Sequence, residues 1–124
     1  MQKLTLPSEI LTSLNKVFDL AKAHWSKYYD FQQKTLLIIS SYIKQQNLRP
    51  IEKYPVKIQF RFYCSDRRRD PDNLSSSSRK FILDALVNEG VLKDDGWKYI
   101  KGFSDDFYLD KNNPRIEVTI RKSQ

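Results

Sequence analysis

A single α+β domain spanning residues 1–124, with a small mixed β-sheet packed against α-helices, is predicted by three patterns in the sequence. Before residue 50, apolar residues recur at helical spacing. From Val56 to Cys64 they alternate with polar ones. Beyond that, one more helical segment precedes two short strand-like runs, a mixture expected of a sheet covered by helices on one side.

In chain order, residues 8–21 place Ile10, Leu11, Leu14, Val17, Phe18 and Ala21 on one helical face, with Ser8 available as a cap. A second helical pattern covers 25–46, with Phe31, Thr35, Ile38, Tyr42 and Ile43 sharing a face. It stops at residues 47–50, because the residue before Pro50 is pushed out of the α region. Val56, Ile58, Phe60, Phe62 and Cys64 then form the apolar face of a strand, opposite Lys57, Gln59, Arg61 and Tyr63. After the polar stretch 65–73, a helix is expected over roughly 74–89, where Leu74, Ser78, Phe81, Ile82, Ala85 and Leu86 share a face. Gly90 suits the left-handed position after its last turn. Asp94-Asp95-Gly96 reads as a turn, and 97–103 and 115–120 read as strands separated by a turn at Asn112-Asn113-Pro114.

Composition excludes several classes. Hydrophobic residues make up 40%, with only 3 Gly and 5 Pro, so the chain is neither disordered nor collagen-like. One Cys and one His preclude an internal disulfide and a zinc finger, which points to a reducing, cytoplasmic setting. The opening residues lack the apolar stretch of a secretory signal, and the run 36–39 is far too short to cross a bilayer. No membrane role is expected. The 22 Lys+Arg against 15 Asp+Glu leave a net charge of +7, which favours polyanions (nucleic acid, anionic lipid or acidic protein) without choosing among them.

The segment with chemical content is Ser65-Asp66-Arg67-Arg68-Arg69-Asp70-Pro71-Asp72-Asn73-Leu74, placed where the best strand ends and a helix begins. Asp70 and Asp72 flank a proline, so in an extended backbone both carboxylates face one side. Like charges that close raise each other's pKa unless a cation lies between them. Mg²⁺ takes oxygen ligands and often uses only one or two carboxylates, with phosphate and water completing the set. Three adjacent guanidinium groups can grip phosphate oxygens. Together these suit a phosphodiester.

Each residue also has a plainer role. Asp72 or Asn73 can cap the following helix, an interaction worth ~1 kcal/mol, and the arginines can simply neutralise the aspartates on a solvated loop. Asp94-Asp95 can return beside the strand edge carrying Asp70, or form an ordinary surface turn. Lys80 can reach the acidic site, or pair with Asp84 on the helix surface for ~0.3–0.5 kcal/mol. His24 reads as a surface residue. Trp25, Tyr28, Tyr29 and Phe31, interleaved with Lys27 and Lys34, can touch nucleic acid or serve as core or dimer contacts.

The runs D-R-R-R-D-P-D-N-L, R-K-F-I-L-D-A-L-V-N-E-G-V and L-K-D-D, in that order across about residues 56–121, resemble the RusA family of Holliday junction resolvases. The resemblance implies a homodimeric, Mg²⁺-dependent endonuclease of phage or prophage origin, with Mn²⁺ a possible substitute, that cuts four-way DNA junctions symmetrically. Asp70 and Asp72 match the first two essential carboxylates, Asp95 the third, and Lys80 the catalytic lysine. The three aspartates would be the metal ligands. Arg69, with Arg67 and Arg68, matches the DNA-gripping loop, and Asn73 matches an asparagine that would hold the loop's shape.

Ser75-Ser76-Ser77-Ser78 depart from the family pattern by about four extra residues. Were all four helical, Lys80 would lie ~6 Å further along the axis and be rotated by ~40°. Serine prefers caps to helix interiors, which favours an insert that loops out, with the helix starting near Ser77 or Ser78. Two other classes of function fit the same residues: a non-catalytic basic nucleic-acid-binding module, and an accessory protein that binds a recombination partner.

Overall fold

The strand marked by the period-two alternation, β2 (Val56–Cys64), occupies an inner position in a four-stranded sheet. The computed structural model describes residues 1–7, 10, 25–68 and 70–123, and the helix expected over 8–21, apart from the buried Ile10, and His24 lie outside them. The remaining elements are β1 (Gln2–Pro7), α1 (Trp25–Gln45), α2 (Pro71–Asn88), β3 (Ile100–Leu109) and β4 (Arg115–Lys122). The sheet order is β1-β4-β2-β3. β4 pairs antiparallel with both β1 and β2, while β2 and β3 run parallel, so α2 is the crossover between them. The sheet is mixed and the fold α+β, as the sequence predicts. Among the described residues no helix is long and apolar enough to cross a membrane.

One sheet face is apolar because each strand contributes alternate residues to it. Leu4 and Leu6 of β1, Ile58, Phe60 and Phe62 of β2, and Ile116, Val118 and Ile120 of β4 are all buried there. They share a core with Leu74, Phe81, Ile82, Ala85 and Leu86 of α2 and with Ile39 and Ile43 of α1. In α1 the buried row runs Thr35, Ile39, Ile43 at i, i+4 spacing, whereas Ile38, expected on this face, is exposed. Both of these described helices are followed by a left-handed residue, Asn47 with φ 57° and Gly90 with φ 76°. After α2, the Gly90 N–H donates to the Val87 carbonyl at 3.0 Å and the Val91 N–H to the Leu86 carbonyl at 2.9 Å. This closes the last turn on its own orphan carbonyls.

Element boundaries differ from the sequence reading most in β1 and β3. β1 lies in residues to which periodicity assigned no element: only Leu4 and Leu6 alternate, too short a signal without the pairing partner β4. β3 begins at Ile100, not at Trp97, because residues 97–99 form a turn in which the Tyr99 and Ile100 N–H groups donate to the Gly96 carbonyl. It then continues to Leu109 through Asp105-Asp106, whose polar residues hid the strand.

The other face carries charge. Glu117 accepts from Arg115 Nε at 2.7 Å and lies 3.0 Å from Lys3 Nζ, and Arg115 also donates to Asp110 at 2.9 Å. Burial pushes the Glu117 carboxyl up, but the bonds from Arg115 and Lys3 outweigh it and hold the group below its ordinary 4.5. Stability from such a group is complete above its unfolded-state pKa and disappears as pH falls through the lower folded-state value. Glu117→Gln is thus expected to cost about 1–2 kcal/mol at neutral pH. The penalty should shrink in acid below the ordinary Glu value, where the wild-type carboxyl protonates too. Urea midpoints measured for both proteins down the acid limb check this, and a penalty independent of pH would refute it.

Candidate functional site

β2 ends at Cys64, and the chain turns through residues 65–70 into α2. Pro71 opens the helix, where its missing N–H would have no intrahelical partner anyway. Asp70 occupies the N-cap position with extended backbone, φ −70° and ψ 133°, yet its carboxylate makes no capping hydrogen bond. Asp72 lies inside the first turn rather than at the cap. The capping role open to Asp72 is therefore not the one it plays. Both carboxylates are exposed, and neither is in an ion pair with another described residue. The positive end of the helix dipole favours negative charge at this turn.

Arg67 and Arg68 are exposed in the same loop. Asp66 orders it by accepting from the Arg68 N–H at 3.0 Å, and its carboxylate lies 3.8 Å from the Arg68 side chain. Arg69 and the side chain of Asn73 lie outside the described residues. The loop leaves the carboxyl end of the parallel pair β2/β3, the end at which sheets of this kind commonly bind ligands.

The four serines are helical, contrary to the expectation that they loop out. α2 runs without interruption from Pro71. Two of its serines bond back locally, Ser75 Oγ donating to the Asp72 carbonyl and Ser77 Oγ to the Leu74 carbonyl, both at 3.3 Å, whereas Ser78 Oγ is buried without a hydrogen-bond partner. Ser75 and Ser78 sit on the buried face, where small side chains fit against the sheet. Lys80 consequently stands ~12 Å along the axis from Asp72, at 1.5 Å per residue.

Lys80 makes the surface pair with Asp84. Its Nζ lies 3.1 Å from Asp84 Oδ1, one turn along the helix. The hydrogen bond and charge of Asp84 raise the ammonium pKa, with Asp95 adding to the effect. Lys80, Asp84, Asp94 and Asp95 line a groove of about 440 Å³ that Gln32 and Gln33 of α1 close from the other side. Asp94 is engaged in the turn, accepting from the Asp95 N–H at 2.8 Å. Asp95 thus shares a groove with Lys80. Among the described residues no three His, Cys, Asp or Glu side chains gather closely enough to hold a metal. Asp70 and Asp72 are exposed hard oxygen donors in no ion pair with a described residue, but α2 begins at Pro71, so the extended backbone expected to aim both carboxylates to one side holds only at Asp70. That donor set fits Mg²⁺, which commonly draws only one or two carboxylates from protein.

Other residues near these groups escape a sequence reading. Arg79, next to Lys80, ties α2 to β3 through an ion pair with Asp105, and its guanidinium lies 4.7 Å from the Phe103 ring centroid. Nothing in one dimension pairs residues 26 apart. Trp97, two positions after Asp95, is 100% exposed. Of the aromatic cluster near the start of α1, Phe31 packs on the core and Tyr29 is exposed; the side chains of Trp25 and Tyr28 lie outside the described residues.

The family model described as endodeoxyribonuclease RusA matches residues 20–121. That span holds α1, β2, α2, β3 and nearly all of β4. Comparison with curated proteins returns no significant match.

Proposed function

The chain belongs to the RusA family of endodeoxyribonucleases, and from that premise we propose that it is a Mg²⁺-dependent, structure-selective endonuclease that resolves four-way DNA junctions by paired, symmetric cuts. The observation that carries this reading is the uncommitted carboxylate pair Asp70 and Asp72, seated at a helix N-terminus beside the exposed guanidinium groups of Arg67 and Arg68. Such a site suits an anionic phosphodiester that brings a cation with it.

Asp70 and Asp72 would hold the ion, Mg²⁺ or Mn²⁺. When bound, it would lower the pKa of a water and neutralise charge building on the phosphate. Lys80 would stabilise phosphate charge further along the same helix, with Asp95 and Asp84 keeping it protonated and oriented. Asp95 would join the metal ligands only through a closer approach of its turn to the α2 N-terminus. Arg67, Arg68 and, by the family resemblance, Arg69 would clamp flanking phosphates, with Asn73 shaping the loop. A homodimer matches the two-fold symmetry of the junction and would place two sites on opposing strands. The setting would be the cytosol of a bacterial host, with a phage or prophage gene as the source.

The test is single-turnover cleavage of a labelled four-way junction and of a matched linear duplex, with Mg²⁺ and with EDTA. Metal-dependent paired cuts in the junction alone are expected. Tight binding without cleavage under any metal would leave a basic DNA-binding module instead. A stable complex with another protein but weak, salt-labile DNA binding would make the chain an accessory factor.

The basic loop yields a separate expectation. Each phosphate contact releases counterions, so log K falls with log salt by ~0.9 per contact on B-DNA. Arg68→Ala should reduce the slope for junction binding by about one and weaken duplex and junction alike. Fluorescence anisotropy titrations in EDTA at several salt concentrations measure it, and an unchanged slope would remove Arg68 from the interface.

A further inference from the structure

Three side chains line up across the charged sheet face at the end where the Arg67/Arg68 loop begins. Tyr63 of β2 is in register with Arg115 of β4 on one side and with Tyr108 of β3 on the other. The Arg115 guanidinium carbon lies 3.8 Å from the Tyr63 ring centroid, and the rings of Tyr63 and Tyr108 stack with centroids 4.9 Å apart and planes 18° from parallel. Neighbouring strands are ~4.8 Å apart, so this ladder advances one stacked group per strand. β3 is an edge strand, and Tyr108 is 45% exposed. Among the described residues none takes the next place in the ladder.

The two sheet edges differ. At the β1 edge, Gln46 donates to the Thr5 carbonyl at 2.7 Å and accepts from the Thr5 N–H at 2.9 Å, mimicking a further strand. Gln2 and the Arg49 backbone make a second such pair, each bond 2.7 Å. Among the described residues no side chain seals the β3 edge in this way. One row along the same face, Arg61 lies between Asp106 and Glu117 in register but forms an ion pair with neither. Its Nε is buried without a hydrogen-bond partner. Two residues along a strand span ~6.6 Å and two strand spacings ~9.6 Å, so Arg61 on β2 stands ~12 Å from the place beyond Tyr108, about two nucleotides' length.

We propose that Tyr108 is the stacking platform for an unpaired nucleobase of branched DNA, the base filling the fourth place in the Arg115–Tyr63–Tyr108 ladder while Arg61 takes a phosphate of the same strand. Every base has a π-face, so stacking on an aromatic selects an unstacked base without selecting its identity. A linear duplex keeps its bases paired and stacked, whereas the crossover of a junction can release one. The platform thus discriminates branched from linear DNA. It rests on the proposed action on branched DNA but not on the metal site.

The experiment is done in EDTA, with 5-iododeoxyuridine placed beside the branch point of a four-way junction and affinity read by anisotropy. Irradiation should cross-link the wild type at Tyr108, located by mass spectrometry. Tyr108→Leu, which keeps an apolar edge but no ring, should lose the cross-link and bind the junction about 5–100-fold more weakly, with duplex affinity unchanged. Tyr108→Phe should behave as wild type. Cross-linking elsewhere, or equal junction binding by Tyr108→Leu, overturns the platform while leaving the nuclease reading intact. If light scattering shows instead that Tyr108→Leu converts a dimer to a monomer with junction affinity unchanged, the edge belongs to a second copy and the platform is also overturned. A wild type that binds no junction removes both readings together.

Discussion

Asp72→Asn should slow single-turnover cleavage of a four-way junction by about 10²–10⁴-fold, the loss of several kcal/mol of metal-assisted charge stabilisation. Junction binding in EDTA should stay at least as tight as in the wild type. The substitution is isosteric, so the loop keeps its shape, while one of two negative charges that would hold the cation disappears. Asp72 does not cap α2, and its carboxylate is bonded to no other described residue. Removing it therefore breaks no described contact; the lost interaction with the helix dipole amounts to about 0.3–1 kcal/mol. Deleting an anion beside Arg67 and Arg68 can only help a polyanion bind. Asp30→Asn, a charge-matched change on exposed α1, serves as the control. Cleavage that survives Asp72→Asn would take the metal away from this pair. A parallel loss of binding and cleavage would instead make Asp72 a scaffold residue.

The core of the fold was legible because its information is local. The alternation from Val56 to Cys64, the spacing of Leu74, Phe81, Ile82, Ala85 and Leu86, and the left-handed Gly90 all lie within one element each. β1 was not legible, because two alternating leucines become a strand only when β4 presents Ile116 and Val118 across from them. The serines misled for a different reason. Serine weakens an isolated helix by bonding to nearby backbone, but in α2 those bonds run back to carbonyls one turn earlier and coexist with the helix. The candidate site was legible as chemistry and not as geometry. Residue types placed carboxylates, arginines and a lysine together in sequence, yet the intact helix separates Asp72 from Lys80. The Arg115–Tyr63–Tyr108 ladder was invisible for the same reason as β1, since it exists only across three paired strands.

Phe60→Ala is expected to have the largest effect on stability, about 3–5 kcal/mol. Phe60 is 0% exposed on an inner strand. Its ring lies 6.3 Å from that of Phe62 and 6.1 Å from that of Phe103, and the Arg79 guanidinium carbon stands 5.6 Å from its centroid. Truncation would open a cavity under the one helix that links β2 to β3. Domains of this size are stable by about 5–15 kcal/mol in total, so the variant should sit near the edge of folding, with Tm lowered by roughly 10–20 °C. Urea unfolding measures it: the midpoint should fall with an unchanged slope, because the surface exposed on unfolding stays nearly the same. Phe103→Ala on the exposed edge should cost far less, since its ring is half in water already. Activity separates the two roles. Cleavage per folded Phe60→Ala molecule should remain close to wild type, because Asp70, Asp72 and the arginine loop are built from the α2 N-terminus and the residues before it. A large loss of cleavage in fully folded protein would mean that the Phe60–Arg79 contact sets the position of α2, coupling the core directly to the carboxylates.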